Sequence, residues 1–148
     1  MKKLLSFLAA LAFCTFAVSA QNDKADNIIG KYICGAGKDA YKVEISKQAD
    51  GNYGCRIFWV ADPLDENGKP ALDTKNPDKS LRTVPMDKVV LFKDLKYNAD
   101  KKHWSDTKIY DPNRGIRVKV TISFDNPQTL KVRGTVFGIG ETVTWKRL

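Results

Sequence analysis

Residues Ile116 to Phe124 have the sequence IRVKVTISF, which alternates apolar and polar side chains without a break. Successive side chains of a β-strand point to opposite faces of the sheet, so this alternation predicts a strand with one buried and one wet face. The same period of two occurs in residues Tyr41 to Ser46 and Leu130 to Arg133. The repeated pattern favours an all-β protein.

Turn-forming residues divide most of the remaining chain into short strands. Clusters such as Gly35-Ala36-Gly37, Asp111-Pro112-Asn113 and Gly138-Ile139-Gly140 separate the apolar runs. The resulting prediction is about eight strands, at residues 28–34, 40–48, 53–60, 88–97, 103–110, 116–125, 129–137 and 141–147. Because no segment has a convincing helical period and closure would remove exposed edges, we expect an antiparallel up-and-down barrel.

Residues 61–87, which we call the flap, do not fit this meander. The segment has no periodicity and carries four prolines, Pro63, Pro70, Pro77 and Pro85, at a density that suits neither a helix nor a central strand. Loops of this length are usually lids, binding loops or disordered segments. We interpret the flap as an ordered Ω-like loop over one barrel end, with a disordered linker as the alternative.

The N-terminus has the pattern of a secretory signal peptide. Lys2 and Lys3 precede an apolar run at residues 4–18, and Val18-Ser19-Ala20 supplies small residues for cleavage after Ala20. The apolar run is short for a membrane span. We therefore expect export to the periplasm or the medium, no transmembrane segment after cleavage, and one domain at residues 21–148.

The charge balance is basic, with 25 Lys and Arg against 17 Asp and Glu, which raises nucleic acid as a partner. Residues 21–148 keep 23 of these cations and all 17 acids, a net charge of +6. Export separates the protein from most nucleic acid, and no nucleic-acid partner is expected. Most of the remaining cations fall on the polar face of alternating strands, where they solubilise the barrel: Lys42, Arg117, Lys119, Lys131 and Arg133.

Two cysteines, Cys34 and Cys55, remain after the signal peptide. An oxidising compartment favours a disulfide between them. The predicted hairpins, however, place Cys34 at a strand end and Cys55 inside the next strand but one, which puts their Cα atoms beyond the roughly 7 Å that a disulfide can bridge. A Cys34–Cys55 disulfide and two buried free thiols both remain open.

Several motifs in order along the chain resemble bacterial domain-of-unknown-function family 2147, small exported proteins with a lipocalin-like (calycin-type) barrel. The matching segments are residues 30–32 (GKY), 56–60 (RIFWV), 73–82 (DTKNPDKSLR), 110–112 (YDP) with Gly115, 132–134 (VRG) and 142–147 (TVTWKR). The resemblance implies a lipocalin-like barrel whose closed end involves Gly30, Tyr32, Trp145 and Arg147. In such barrels an arginine from the last strand lies across the aromatic ring of the first, and Arg147 and Tyr32 resemble that pair.

The candidate ligand-binding residues are Arg82, Asn76, Tyr110, Trp59 and Trp104. Arg82 either binds a carboxylate or phosphate with its guanidinium or holds the flap through Asp73, Asp78 or backbone carbonyls. Asn76 suits turn closure in the same way. The aromatic residues either fill the barrel or line one small apolar cavity.

Enzymatic and metal chemistry find little support. The chain has one histidine, His103, and no nucleophile elbow, phosphate loop or paired histidines. An acidic stretch at residues 62–68 fails the EF-hand pattern because Pro63 falls on the first ligand position. No cofactor is expected. If Glu44, Asp106 and Asp111 came together in space, their carboxylates could form a catalytic site, so an enzyme remains an alternative.

These observations favour a non-enzymatic barrel that binds a small hydrophobic, lipid-like ligand. The first alternative is a filled barrel that acts as a structural or protein-interaction module of the cell envelope. The second is an enzyme built on the three carboxylates.

Overall fold

The computed structural model describes residues 20–148, so the predicted signal peptide lies outside the described residues except for Ala20. Eight strands each pair antiparallel with the next, and β8 pairs with β1 to close a barrel. The predicted up-and-down barrel is confirmed. The strands are β1 (Gly30–Cys34), β2 (Tyr41–Lys47), β3 (Tyr53–Val60), β4 (Val90–Asn98), β5 (His103–Asp111), β6 (Ile116–Asn126), β7 (Thr129–Val136) and β8 (Ile139–Arg147).

The strand limits differ from the prediction mainly at the two ends of the chain. Ala25–Ile28 forms a 3₁₀ turn, so β1 begins at Gly30. The β7–β8 turn consists only of Phe137 and Gly138, so β8 begins at Ile139, two residues before the predicted start. Three more 3₁₀ turns lie at Gly37–Asp39, Lys79–Leu81 and Met86–Lys88. No helix in residues 20–148 is long and apolar enough to span a membrane.

Strand register assigns the alternating residues to the two faces of the barrel. Phe124 lies opposite Leu130 and Ile122 opposite Val132, and all four are buried in the interior. The cations at the alternate positions of these and neighbouring strands face outward, as the alternation predicts: Lys42, Arg117, Lys119, Lys131 and Arg133. The barrel therefore has an apolar interior and a basic outer surface.

The barrel has one closed end, which the N-terminal 3₁₀ turn covers. The indole nitrogen of Trp104 donates to the carbonyl of Ala25 (3.0 Å), and the Tyr53 hydroxyl donates to the Asp26 carboxylate (2.5 Å). The large rings of Tyr97, Trp104 and Phe124 pack together beneath this turn, with centroids 5.0 Å and 5.9 Å apart. This end is filled by side chains.

The flap is an ordered segment attached to the side of the barrel. Short bridges pair Leu64 with Pro70 and Leu72 with Pro85, and the amide of Asp73 donates to the carbonyl of Val84. Its Lys75 reaches the β5–β6 turn, where the ammonium donates to the carbonyl of Asn113 (2.7 Å). At Gly115, in the same turn, a Cβ would lie 2.3 Å from the carbonyl oxygen of Lys75, so only glycine permits this approach.

Candidate ligand-binding site

The open half of the barrel contains a cavity of about 700 Å³ that communicates with solvent. Its walls are mainly aliphatic and come from every strand except β1. Its apolar lining includes Ala40, Tyr41, Ile57, Leu91, Ile109, Val118, Val132, Val136, Val143 and Trp145. A molecule inside the cavity would therefore contact mostly apolar side chains.

Side-chain size along the strands explains why one half of the barrel is filled and the other is not. The large rings of Trp104 and Phe124 gather at the closed end, whereas inward positions toward the open end carry Val118, Val132 and Gly134. Val143 lies opposite Val132 and shares its inward face, yet it is 47% exposed. An inward valine with this exposure shows that the space beside it is open.

Trp145 forms part of the cavity lining on β8. It lies opposite Leu130 and is only 1% exposed. Its indole nitrogen has no hydrogen-bond partner among the described residues. The resemblance placed Trp145 at the closed end; in the structure it lies in register with Leu130 and Phe124 and also contributes to the cavity lining.

The rim of the cavity is polar and carries both signs of charge. Arg114 donates to the Asp111 carboxylate across the β5–β6 turn (2.6 Å), and this contact, with a smaller contribution from Glu141, raises the pKa of Arg114. Glu141 lies opposite Gly134 on the inward face of β8. Three further charged residues border the opening, namely Lys38, Asp39 and Asp62. An apolar interior below a charged rim matches a molecule with an apolar body and a polar end.

Of the five predicted ligand-binding residues, only Tyr110 borders the cavity. Its hydroxyl points away from the cavity and donates to the buried carboxylate of Asp73 in the flap (2.7 Å). Burial is the main cause of a raised Tyr110 pKa, and the Asp73 contact adds to it. The guanidinium of Arg117 lies 5.1 Å from the centre of its ring. Tyr110 thus attaches the flap to the barrel wall.

Asn76 and Arg82 belong to the same attachment and not to the cavity. The amide nitrogen of Asn76 donates to Asp73 (2.7 Å), and its side-chain oxygen accepts from the amide of Asp78. The Nε atom of Arg82 donates to the backbone carbonyl of Asn76 (2.8 Å). This contact is of the kind expected of an arginine that holds the flap.

Trp59 and Trp104 lie outside the cavity lining for opposite reasons. Trp59 is on the outer face, 39% exposed, with the Lys42 ammonium 4.6 Å from its ring centre. Simple alternation along β3 would put Trp59 on the inner face. It lies on the outer face because a β-bulge falls between Lys42 and Val43 in the pairing of β2 with β3. Trp104 points inward but is fully buried in the closed end. Neither is placed to contact a ligand in the cavity.

Arg147, Tyr32 and Gly30 meet at the closed end as the resemblance implies. The Arg147 guanidinium lies 5.2 Å from the Tyr32 ring centre and donates to the Tyr32 hydroxyl (2.8 Å) and to the carbonyl of Asn27 (2.7 Å). The Tyr32 hydroxyl in turn donates to the carbonyl of Ile28 (2.8 Å), and burial raises the Tyr32 pKa to about 12. Gly30 lies beside the guanidinium, where a Cβ would stand 3.4 Å from Nη1 of Arg147.

Cys34 and Cys55 are buried free thiols in this structure, so the disulfide alternative is not the one observed. Cys34 lies opposite Tyr41 on β2, whereas Cys55 lies opposite Ile45, four residues further along that strand. The offset keeps the two cysteines apart although both face inward. Burial raises the pKa of both thiols, which keeps them protonated.

The carboxylates considered for catalysis occupy different places. Glu44 accepts from Arg56 on the outer face (2.8 Å), Asp111 pairs with Arg114 at the rim, and Asp106 sits at the irregularity of β5 with a positive φ of 66°. Within residues 20–148, no group of three or more His, Cys, Asp or Glu side chains is arranged to hold a metal ion.

The residues that form the cavity walls went largely unpredicted. They are valines, isoleucines and leucines on predicted strands, and no motif distinguishes them from ordinary core residues. The available signal was the size of the inward residues: small ones such as Gly134 and Val118 cluster toward the same strand ends, and large ones toward the other. Nothing in the sequence except their position next to predicted turns indicated that Arg114 and Glu141 lie at the cavity rim.

A closed antiparallel barrel of eight strands, packed at one end and open over a cavity at the other, defines a lipocalin-like protein. The model of a family described as "Uncharacterized protein conserved in bacteria (DUF2147)" matches residues 30–147, and the chain belongs to this family. It is also similar to the solved structure of protein HP1028 from the human pathogen Helicobacter pylori, which is described as belonging to the lipocalin family. The two chains are 26% identical over 82% of each, with a TM-score of 0.64. No curated protein matches the chain.

Proposed function

We propose that this protein is a non-enzymatic binding module that holds a small hydrophobic, lipid-like ligand in the open half of the barrel. The observation that carries the proposal is the cavity of about 700 Å³ with aliphatic walls. Specific small-molecule sites typically occupy roughly 300–1,000 Å³ and combine apolar walls with a few polar groups. The apolar body of the ligand lies against Val118, Val132 and Val143, and its polar end meets the rim near Arg114.

The proposal includes export. The basic, apolar and small-residue pattern of residues 1–20 supports a signal peptide that is cleaved after Ala20. In this account the protein binds its ligand in the periplasm or outside the cell. N-terminal sequencing of the protein recovered from the periplasmic fraction or the medium tests this, and the expected first residue is Gln21.

A neutral apolar fluorophore tests the binding proposal. N-phenyl-1-naphthylamine becomes fluorescent in apolar surroundings, and we expect saturable enhancement at one dye per chain with a Kd on the order of micromolar. Val143→Trp places a large ring in the open space and is expected to weaken dye binding by at least about tenfold. Thr144→Trp is the matched control, since Thr144 lies opposite Lys131 on the outer face and is exposed.

Equal dye binding by the two tryptophan variants would show that the dye does not occupy the cavity. Absence of saturable binding to the unmodified protein would contradict the proposal itself. Native mass spectrometry of protein purified without detergent adds a second readout. An added mass that disappears on denaturation and is absent from Val143→Trp would identify a ligand acquired in the cell.

A further inference from the structure

The β7–β8 tip, residues Val136 to Ile139, exposes two large apolar side chains at the rim of the cavity. Phe137 is 100% exposed and Ile139 is 78% exposed. Single exposed apolar residues are common, but two that flank Gly138 at the end of a hairpin form a contact surface that no part of the described chain covers. Both residues also border the mouth of the cavity.

The backbone at this tip disfavours the residue that occupies it. Val136 pairs with Ile139, so Phe137 and Gly138 form a two-residue turn, and both have positive φ, 49° and 78°. This is the conformation in which asparagine followed by glycine is strongly preferred. A bulky side chain there is strained, and Phe137 gains no packing in return because it is fully exposed. Strain without internal compensation points to a role outside the folded chain.

The outer face beside the tip carries cations that can contact a negatively charged partner, whereas the nearby Glu141 lies on the inward face at the cavity mouth. The Arg133 guanidinium lies against the backbone of Gly140, where a Cβ would stand 2.2 Å from its Nη2 atom. Lys119, Thr135 and Gly140 follow one another across β6, β7 and β8, which places the Lys119 cation on the same outer face. The carboxylate of Asp111 at the rim is paired with Arg114. Residues 21–148 carry a net charge of +6, which adds a long-range attraction to anionic surfaces.

The size of the apolar surface selects between two kinds of partner. A stable protein interface buries about 1,000 Å² or more, which two side chains at a hairpin tip do not provide. Insertion of one aromatic and one aliphatic side chain into the headgroup region, combined with cations that contact lipid phosphates, is instead a usual mode of reversible membrane attachment. A bilayer surface therefore fits the tip better than a protein does.

We propose that the β7–β8 tip docks the barrel onto an anionic lipid bilayer. Phe137 and Ile139 enter the headgroup region, and Arg133 and Lys119 contact lipid phosphates. Because the tip borders the cavity mouth, docking brings the cavity to the membrane surface. The docking does not depend on what the cavity binds, so its failure and the failure of the binding proposal are separate outcomes.

Vesicle flotation tests the docking. Protein expressed from the full sequence and purified from the soluble fraction is mixed with vesicles of phosphatidylcholine alone or of equal parts phosphatidylcholine and phosphatidylglycerol. We expect binding to the anionic vesicles that weakens as salt rises, with much less binding to phosphatidylcholine.

The decisive variant is Phe137→Asn with Ile139→Thr, since Asn-Gly is the preferred sequence for this turn. It is expected to raise the melting temperature and to reduce binding to anionic vesicles by about tenfold or more. The matched control, Val90→Ser with Leu148→Ser, removes two exposed apolar side chains away from the tip and should retain binding.

Three results would overturn the proposal. The first is no binding of the unmodified protein to anionic vesicles, and the second is equal binding by the tip variant. The third is a concentration-dependent dimer that the tip variant abolishes, since the tip would then be a protein interface.

Discussion

At the scale of single residues, Arg147 shows how a side chain near the end of the sequence organises the closed end of the barrel. Its guanidinium donates to the carbonyl of Asn27 and to the Tyr32 hydroxyl and lies over the rings of Tyr32 and Phe124. It therefore joins the N-terminal turn, β1 and β6 through one group. Sequence alone could suggest the pair with Tyr32 by resemblance, but the contacts with Asn27 and Phe124 depend on barrel closure.

Replacement of Arg147 by methionine should destabilise the protein. The substitution keeps an unbranched apolar chain but leaves the Asn27 carbonyl and the Tyr32 hydroxyl without their charged donor. A loss of about 2 kcal/mol in the free energy of unfolding is expected, measured by urea denaturation. Lys146→Met is the control, because Lys146 is an exposed cation next to it on β8 and should change stability by less than about 0.5 kcal/mol. Equal stability of the two variants would exclude this role for Arg147.

At the scale of elements, the flap is attached to the barrel wall by a small buried polar network. Asp73 and Asn76 are 2% and 3% exposed, and the Asp73 carboxylate accepts from both Asn76 and the Tyr110 hydroxyl. The Asn-Pro-Asp motif thus takes part in attaching the loop to the barrel wall. The flap residues that line the cavity are Asp62, Ala71 and Met86, so the flap contributes to the cavity rim.

Tyr110→Phe should loosen the flap without unfolding the barrel. The variant removes one hydrogen bond and leaves Asp73 buried with one donor fewer, which lowers the free energy of local opening by about 1–2 kcal/mol. Hydrogen exchange at the amides of Asp73, Val84 and Met86 reports this opening, since each donates to a flap carbonyl.

Tyr97→Phe provides a matched control for that experiment. The Tyr97 hydroxyl donates to the carbonyl of Asn22 at the closed end (2.5 Å), so its removal should leave flap exchange unchanged. Unchanged flap exchange in Tyr110→Phe, or equal acceleration in both variants, would contradict the role assigned to Tyr110.

At the scale of the whole molecule, the period of two along the strands was sufficient to predict the barrel. Each long run, such as residues 116–124, encodes its own inward and outward faces, and short turns connect neighbours in order. The position of Trp59 could not be predicted, because the bulge in the β2–β3 pairing reverses the face that simple alternation assigns. The cavity could not be predicted either, because the sequence does not distinguish an inward valine that faces open space from one that packs against an aromatic ring.

The proposed function depends on a small apolar molecule occupying the open half of the barrel. The most direct measurement is a methyl NMR titration of the protein with N-phenyl-1-naphthylamine. Binding in the cavity should give saturable shift changes at Val118, Val132 and Val143 on the cavity wall, with little change at Val90, which is on the outer side of β4 opposite Arg56. Shift changes confined to Val90 and other outer residues, or none at the cavity valines when the dye is saturating, would contradict it.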